Sequence, residues 1–370
     1  MSLYQSALNN IKQKAENKKA GRFNGIPFPF SRFSQYIPSI DKEQVIGLTS
    51  FSGAGKSRFL RHTFVTHPYE FSLKHNYAIE IDYYCLEDSA EKTFKSILCN
   101  YLYTKCGERI SLYDLDSKFK ELPTHILKCI VDGEKYLADF CNKVRIKDTF
   151  TTPRAIKNDI LRRAADIGTI HTREHEGKQI IVGYTPKTDV HRLMLFDNLN
   201  NLDKDAEHRD KKQAMDEFVG KDCRLLYSKI LKGTPIVVHQ QALEAEKQQF
   251  TSNGGMILEK NKPSLANLGE TKEVTRSYHL VLSLFTPHKF KVPNYKGYDI
   301  TKLRNNFREL EVLKTNDGTD SSICSALFFD GAPEVFWELP HSKDEAEKLP
   351  RVYEWLEQER NKQKNKHLLF

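Results

Sequence analysis

The chain has 370 residues, 39% hydrophobic and 29% charged, enough for one large core with appendages or for two small domains. No stretch holds the roughly 18–20 consecutive apolar residues that a membrane span needs. The polar start, MSLYQSALNNIKQKAENKKA, lacks a leader's apolar core, so a cytoplasmic protein without a membrane partner is expected. Net charge is +8, which permits a polyanionic partner without proving one, and the seven cysteines include no CxxC pair, which favours reduced thiols over disulfides or a zinc site.

In residues 1–21, Tyr4, Leu8, Ile11 and Ala15 recur at helical spacing, which predicts an N-terminal linker helix docking on another subunit; the alternative is a disordered start. Short apolar runs follow at QVIGLT (44–49), AIEIDYYCL (78–86), KVRIKD (143–148), RLMLFD (192–197), PIVVHQ (235–240) and HLVLSLF (279–285). Helical patterns at 56–67, 88–104, 153–166 and 210–232 lie between them. Near-continuous apolar strands alternating with helices predict an α/β fold with a mainly parallel sheet covered on both faces. The stretch 168–190 reads as an inserted hairpin. ELEVLKTNDG, SSICSALFF and PEVFWEL then follow at close spacing, which predicts an antiparallel C-terminal edge. Residues 341–370 read as a charged helical tail.

The first run leads into SFSGAGKS at Ser50–Ser57, a phosphate-binding loop between strand and helix, with serine at its first glycine position. Gly53 and Gly55 let successive N–H groups curl toward a phosphate, and the following helix end adds positive field. Lys56 is expected to reach the β- and γ-phosphates and the Ser57 hydroxyl to ligate Mg²⁺. Ser52, Gly53, Ala54, Gly55, Lys56, Ser57 and Arg58 form the candidate nucleotide-binding set, with ATP and Mg²⁺ as cofactors. RLMLFD ends in Asp197, the candidate acid on the metal side. Glu87, just past the second strand, is the candidate for polarising an attacking water, with Asp88 capping the next helix.

Taken in order, the loop, CLEDSAE, LFDNLNNL, PIVVHQQ, LANLGETKEVTRSYHLVLSLF and LEVLKTNDG resemble the RecA-like P-loop motor domain of DnaB-type replicative helicases, over roughly residues 22–340. That family often lacks glycine at the first loop position. The resemblance implies Glu87 as the catalytic glutamate, Asp197 as the Mg²⁺-side aspartate and Gln241 as the γ-phosphate sensor. Leu268, Glu270 and Thr271 match a segment bordering the central channel, with Lys272 beside them, and Lys314 and Gly318 match K-x-R-x-G. GRFNGIPFPFSRFSQYIPSI (21–40) resembles a segment that packs adenine or seals the core. One departure bears on chemistry: Asn316 stands at the family's arginine, which acts across the subunit interface, and an arginine finger contributes about 10³–10⁵ in rate where it operates. Lys314 alone, Arg304 or Arg308 is left to supply that charge.

The implied activity is ATP-dependent unwinding of DNA during replication by a hexameric ring that translocates on single-stranded DNA, with a primase or helicase loader as further partner. Candidate DNA contacts are Lys204, Arg209, Lys211 and Lys212 after the acid strand, then Glu270, Thr271 and Lys272, with Lys247, Lys260 and Lys262 in the same polar stretch. Few aromatics interleave, so backbone tracking is expected over base stacking. Two other readings stand beside this one: a RecA-like strand-exchange ATPase, and a regulatory ATP-binding protein with weakened hydrolysis, which Asn316 favours.

Overall fold

The computed structural model describes residues 2–242, 244, 261–268, 272–317 and 323–368. Its centre is a nine-stranded sheet. The strands are β1 (Ile46–Ser50), β2 (Ile79–Cys85), β3 (Val144–Lys147), β4 (His191–Asp197), β5 (Thr234–Gln240), β6 (Leu280–Phe285), β7 (Phe307–Thr315), β8 (Cys324–Asp330) and β9 (Val335–Glu338). The spatial order is β9-β8-β7-β6-β1-β5-β4-β2-β3. The six strands from β6 to β3 are parallel, and β7, β8 and β9 add an antiparallel edge, as the sequence predicts.

β1, β4 and β6 are buried at every position. Alternate residues feed two cores, because side chains along a strand point to opposite faces. Leu48, Leu193, Leu195, Ile236 and Val238 join one core, and Met194, Phe196, Val237 and Val281 join the other. Over the first face runs α2 (Lys56–Arg61), which continues through a wider turn at His62–Thr66 into His67–His75. The second face is covered by α4 (Pro153–Ile167) and by α5 (Lys211–Glu217) with its continuation Phe218–Ile230.

The segment 21–40 seals the first core: Ile26, Phe28, Phe30 and Phe33 are buried, and Phe30 stacks on Phe59 with centroids 5.9 Å apart. α1 (Leu3–Lys19) buries none of its residues. α3 (Ala90–Cys106) is capped by Ser89, which accepts from the Lys92 N–H at 3.2 Å; Asp88, the expected cap, instead pairs with the Lys92 ammonium. The insertion is an antiparallel hairpin, Gly168–His175 with Lys178–Pro186. The C-terminal helix, α6 (Leu349–Leu368), is docked at its start, where Leu349 and Leu356 pack with Phe285, Phe307 and Phe328. Among the described residues no helix is long and apolar enough to cross a membrane.

A buried charge network holds the β2, β3, β4 end of the sheet. Asp82 is wholly buried and pairs with Arg192 at 2.9 Å, Arg145 at 2.9 Å and Lys147 at 3.1 Å. Burial opposes its charge, but Arg192, Arg145 and Lys147 outweigh that and hold its pKa well below the usual carboxylate range.

Candidate nucleotide and metal site

Parallel strands place all their carboxyl ends on one edge, and β1, β5, β4 and β2 are consecutive neighbours there. Residues far apart in sequence therefore converge just past those ends. The phosphate loop leaves β1 with Gly53 at φ +74° and Gly55 at φ +94°, a left-handed backbone suited to glycine, and Gly55 caps the start of α2. The Lys56 ammonium is buried in the loop, 3.4 and 3.3 Å from the carbonyl oxygens of Ser50 and Phe51. The Ser57 hydroxyl donates to Asp197 Oδ1 at 3.1 Å, and the Tyr83 hydroxyl donates to Oδ2 at 2.8 Å.

Burial pushes the Asp197 pKa up, while Arg61, Tyr83 and Ser57 pull it down. A buried carboxylate destabilised in this way, with a serine hydroxyl directly on it, is a hard-oxygen pair of the kind Mg²⁺ takes. The donor set thus fits the metal expected from the sequence, with Ser57 and Asp197 as its protein side.

Glu87 is exposed and accepts from Asn198 Nδ2 at 3.0 Å. Asn198 follows Asp197 directly, so one strand end places both the aspartate and the amide that holds Glu87. The next link runs through Asn200, whose Oδ1 accepts from the Gln240 N–H at 2.9 Å. Gln240, and not Gln241, lines the cleft. Gln241 is buried and turned back into the protein, donating from Nε2 to Thr49 Oγ1 at 2.9 Å and to the Ser264 carbonyl at 3.1 Å. Side chains alternate at a strand end, so these adjacent glutamines face opposite ways, and the cleft is lined by the residue before the one expected from the sequence.

The cleft has a volume of about 630 Å³, within the range of small-molecule sites, and Lys56, Arg58, Arg61, Glu87, Gln240 and Arg308 are among its walls. Arg61 makes a bidentate pair with Glu334 at 2.8 and 3.0 Å, which ties α2 to the β8–β9 turn. Burial works against the Arg61 charge, but Glu334, with Tyr83 and Asp197 behind it, holds its pKa well above the ordinary value.

No protein-family model and no curated protein sequence matches the chain. Solved structures do. One of them, an ATPase domain, superposes with a TM-score of 0.67 at 12% identity, covering 92% of this chain and 99% of that one. A DnaB-like replicative helicase, described with its interactions with primase, superposes with a TM-score of 0.65 at 13% identity, covering 92% of this chain and 67% of the other. The fold is that of the DnaB-type, RecA-like ATPase domain.

Within this RecA-like domain, Lys314 lies away from the phosphate loop. β7 runs antiparallel to β6 and places Lys314 beside Val281, at the opposite end of the sheet from Ser50. Its ammonium donates to the carbonyls of Thr275 at 3.0 Å, Arg276 at 3.4 Å and Tyr278 at 2.6 Å. Lys314 is therefore no catalytic group toward its own chain's loop. Arg308 is buried in its own chain, which removes it as a group extended across an interface, whereas Arg304 is exposed.

Of the candidate DNA contacts, Lys204, Arg209, Lys211 and Lys212 are exposed in the segment leading into α5. Lys204 donates to the Arg209 carbonyl at 3.2 Å, and Arg209 pairs with Asp210 at 3.0 Å. Lys247, Lys260, Glu270, Thr271 and Gly318 lie outside the described residues, and Lys272 opens the helix Lys272–Ser277. Lys262 is buried 3.6 Å from Glu309 and over the Tyr295 ring, so it serves the fold and not a nucleic acid.

Asn198, Asn200, Gln240 and Arg61 are the site residues that sequence reading missed. The signal for Gln240 was the alternation at the end of β5. For the two asparagines it was their place directly after a strand-ending aspartate. Arg61 gave none, because its partner is 273 residues away in sequence.

Proposed function

We propose that the chain is an ATP-dependent DNA helicase of the replicative kind, translocating on single-stranded DNA as a hexameric ring with ATP bound between subunits. The reading rests on one observation above all. The phosphate loop, the Ser57–Asp197 pair and the Asn198-held Glu87 converge on one sheet edge, in a fold shared with a DnaB-like helicase.

The loop N–H groups from Gly53 to Ser57 take the phosphates, and Lys56 exchanges its carbonyl partners for the β- and γ-phosphate oxygens. Ser57 and Asp197 would hold Mg²⁺, which would supply charge neutralising the phosphates. Glu87, aimed by Asn198, orients the attacking water and accepts its proton. Gln240 faces the γ-phosphate side, and its N–H is tied to Asn200, which opens the segment carrying Lys204, Arg209, Lys211 and Lys212. A change at the phosphate thereby reaches the residues that contact the DNA backbone. Lys314 serves the neighbouring subunit's site once its own carbonyl contacts are released. The primase described with the DnaB-like neighbour makes a primase, or a helicase loader, the partner to test.

The test is strand displacement on a forked duplex. The wild type with ATP is expected to release the labelled strand and Glu87→Gln to release none. Failure of the wild type to unwind forks of either polarity, while it still hydrolyses ATP, would overturn the helicase assignment. One observation favours a second reading, a regulatory ATP-binding protein: Asn316 replaces the expected arginine while Lys314 is anchored at three carbonyls of its own chain. Binding of ATP without turnover would select it.

A further inference from the structure

Arg308, the second residue of β7, is wholly buried against the phosphate loop. Its Nε donates to the Ala54 carbonyl at 2.6 Å. Nη1 donates to the carbonyls of Asn305 and Phe307, both at 2.7 Å, and Nη2 to Asn305 Oδ1 at 3.3 Å. Every one of these acceptors is neutral. Among the described residues no carboxylate pairs with Arg308. Its guanidinium lies 4.9 Å from the Phe329 ring centroid, and the Arg58 guanidinium lies 5.7 Å from the same centroid. Burial, then repulsion from Arg58, pushes its pKa down to about 9, which still leaves it charged at neutral pH. Arg61, equally buried a short way along the cleft, has Glu334 as its bidentate partner. A buried cation without an anion is costly, and a fold that keeps one in a cleft wall has a use for the charge.

The hydrogen bond to Ala54 indicates the use. The peptide between Ala54 and Gly55 is trans, so its C=O and N–H point opposite ways. Holding the Ala54 oxygen toward β7 aims the Gly55 N–H away from β7, and Gly55 itself lines the cleft. The same contact places a positive charge directly behind that peptide.

We propose that Arg308 is a positioning residue supplied by the same chain, which fixes the Ala54–Gly55 peptide for phosphate binding and adds its charge to the loop, with the phosphate chain of a nucleotide as its counter-ion. This rests on reading the cleft as the nucleotide site.

The experiment is fluorescence titration with mant-ADP, and displacement by inorganic pyrophosphate, for the wild type, Lys56→Ala, Arg308→Gln, Arg308→Met and Arg308→Lys, with thermal melting of each. Arg308→Gln and Arg308→Met are expected to weaken both mant-ADP and pyrophosphate at least about tenfold, with Arg308→Lys recovering part of the loss. Arg308→Met, which removes the buried charge and keeps an apolar stem, serves if Arg308→Gln does not fold. A purely structural role would lower the melting temperature and leave the affinity of folded protein unchanged. Affinities of either charge-removing variant within about twofold of wild type would overturn the proposal while leaving the nucleotide site intact. A wild type that binds mant-ADP no better than Lys56→Ala would instead overturn the site reading itself.

Discussion

Two regions of the sheet handle buried charge in opposite ways. At the β2, β3, β4 end, Asp82 meets Arg192, Arg145 and Lys147, while Glu80 and Asp159 take up the surrounding cations, so each acid there has a protein partner. Past the carboxyl ends of β1 and β5, Arg308 rests on neutral acceptors and the Lys56 ammonium lies beside loop carbonyls. The first arrangement is closed and supports the fold. The second leaves positive charge facing a cleft and is organised for an anion. Mutations in the two regions should therefore separate stability from activity.

The largest separation is expected for Glu87→Gln. Glu87 is exposed and held by one side-chain hydrogen bond. Turnover should fall by about 10²–10⁴, while unfolding free energy stays within about 0.5 kcal/mol of wild type. Steady-state ATPase assays and denaturant titration check the two halves together. Asp82→Asn should do the reverse. It leaves buried Arg192 and half-buried Arg145 and Lys147 around a neutral amide, at a cost of about 3–5 kcal/mol, with nucleotide affinity of the folded protein unchanged in a mant-ADP titration.

Acid should weaken the fold before it reaches that network. His191 and His239 are buried, and burial pushes both pKa values down to about 3. Below the ordinary histidine range, near 6.5, the unfolded chain binds two protons that the folded chain refuses. Stability should accordingly be lost as pH falls from about 6.5 toward 3, by about 3 kcal/mol per pH unit from these two groups, with His62, whose pKa burial also pushes down to about 3, adding to the loss. Asp82, with a depressed pKa, loses its contribution only at lower pH, below the ordinary carboxylate value. Urea titrations at pH 7, 6 and 5 follow the histidine window. The smallest effect on stability is expected for Lys211→Ala and Lys212→Ala at the exposed start of α5. Each should leave unfolding unchanged and lower the slope of log affinity for single-stranded DNA against log salt by about 0.7.

The sheet was legible because its strands are short, apolar and alternate with helices, and because Gly53, Gly55, Lys56 and Ser57 form a compact local pattern. Asp197 and Glu87 were legible as the acids closing two strands, since parallel strands share one functional edge. Residues whose role depends on contacts across the fold were harder to read. Gln240 and Gln241 differ only in which way a strand end turns. Lys314 sits in a recognisable motif, yet the antiparallel direction of β7 carries it to the far end of the sheet. Arg308 was legible only as a spare charge, because neither the Ala54 carbonyl nor the absence of a paired acid can be read from neighbouring residues.

The most direct test of the account is the initial rate of ATP hydrolysis by the wild type with and without single-stranded DNA. The account predicts clear stimulation that weakens as salt rises, because the loop after β4, the proposed phosphate contact, is hydrogen-bonded through Asn200 to Gln240 in the cleft. A rate indifferent to DNA at every salt concentration would contradict it.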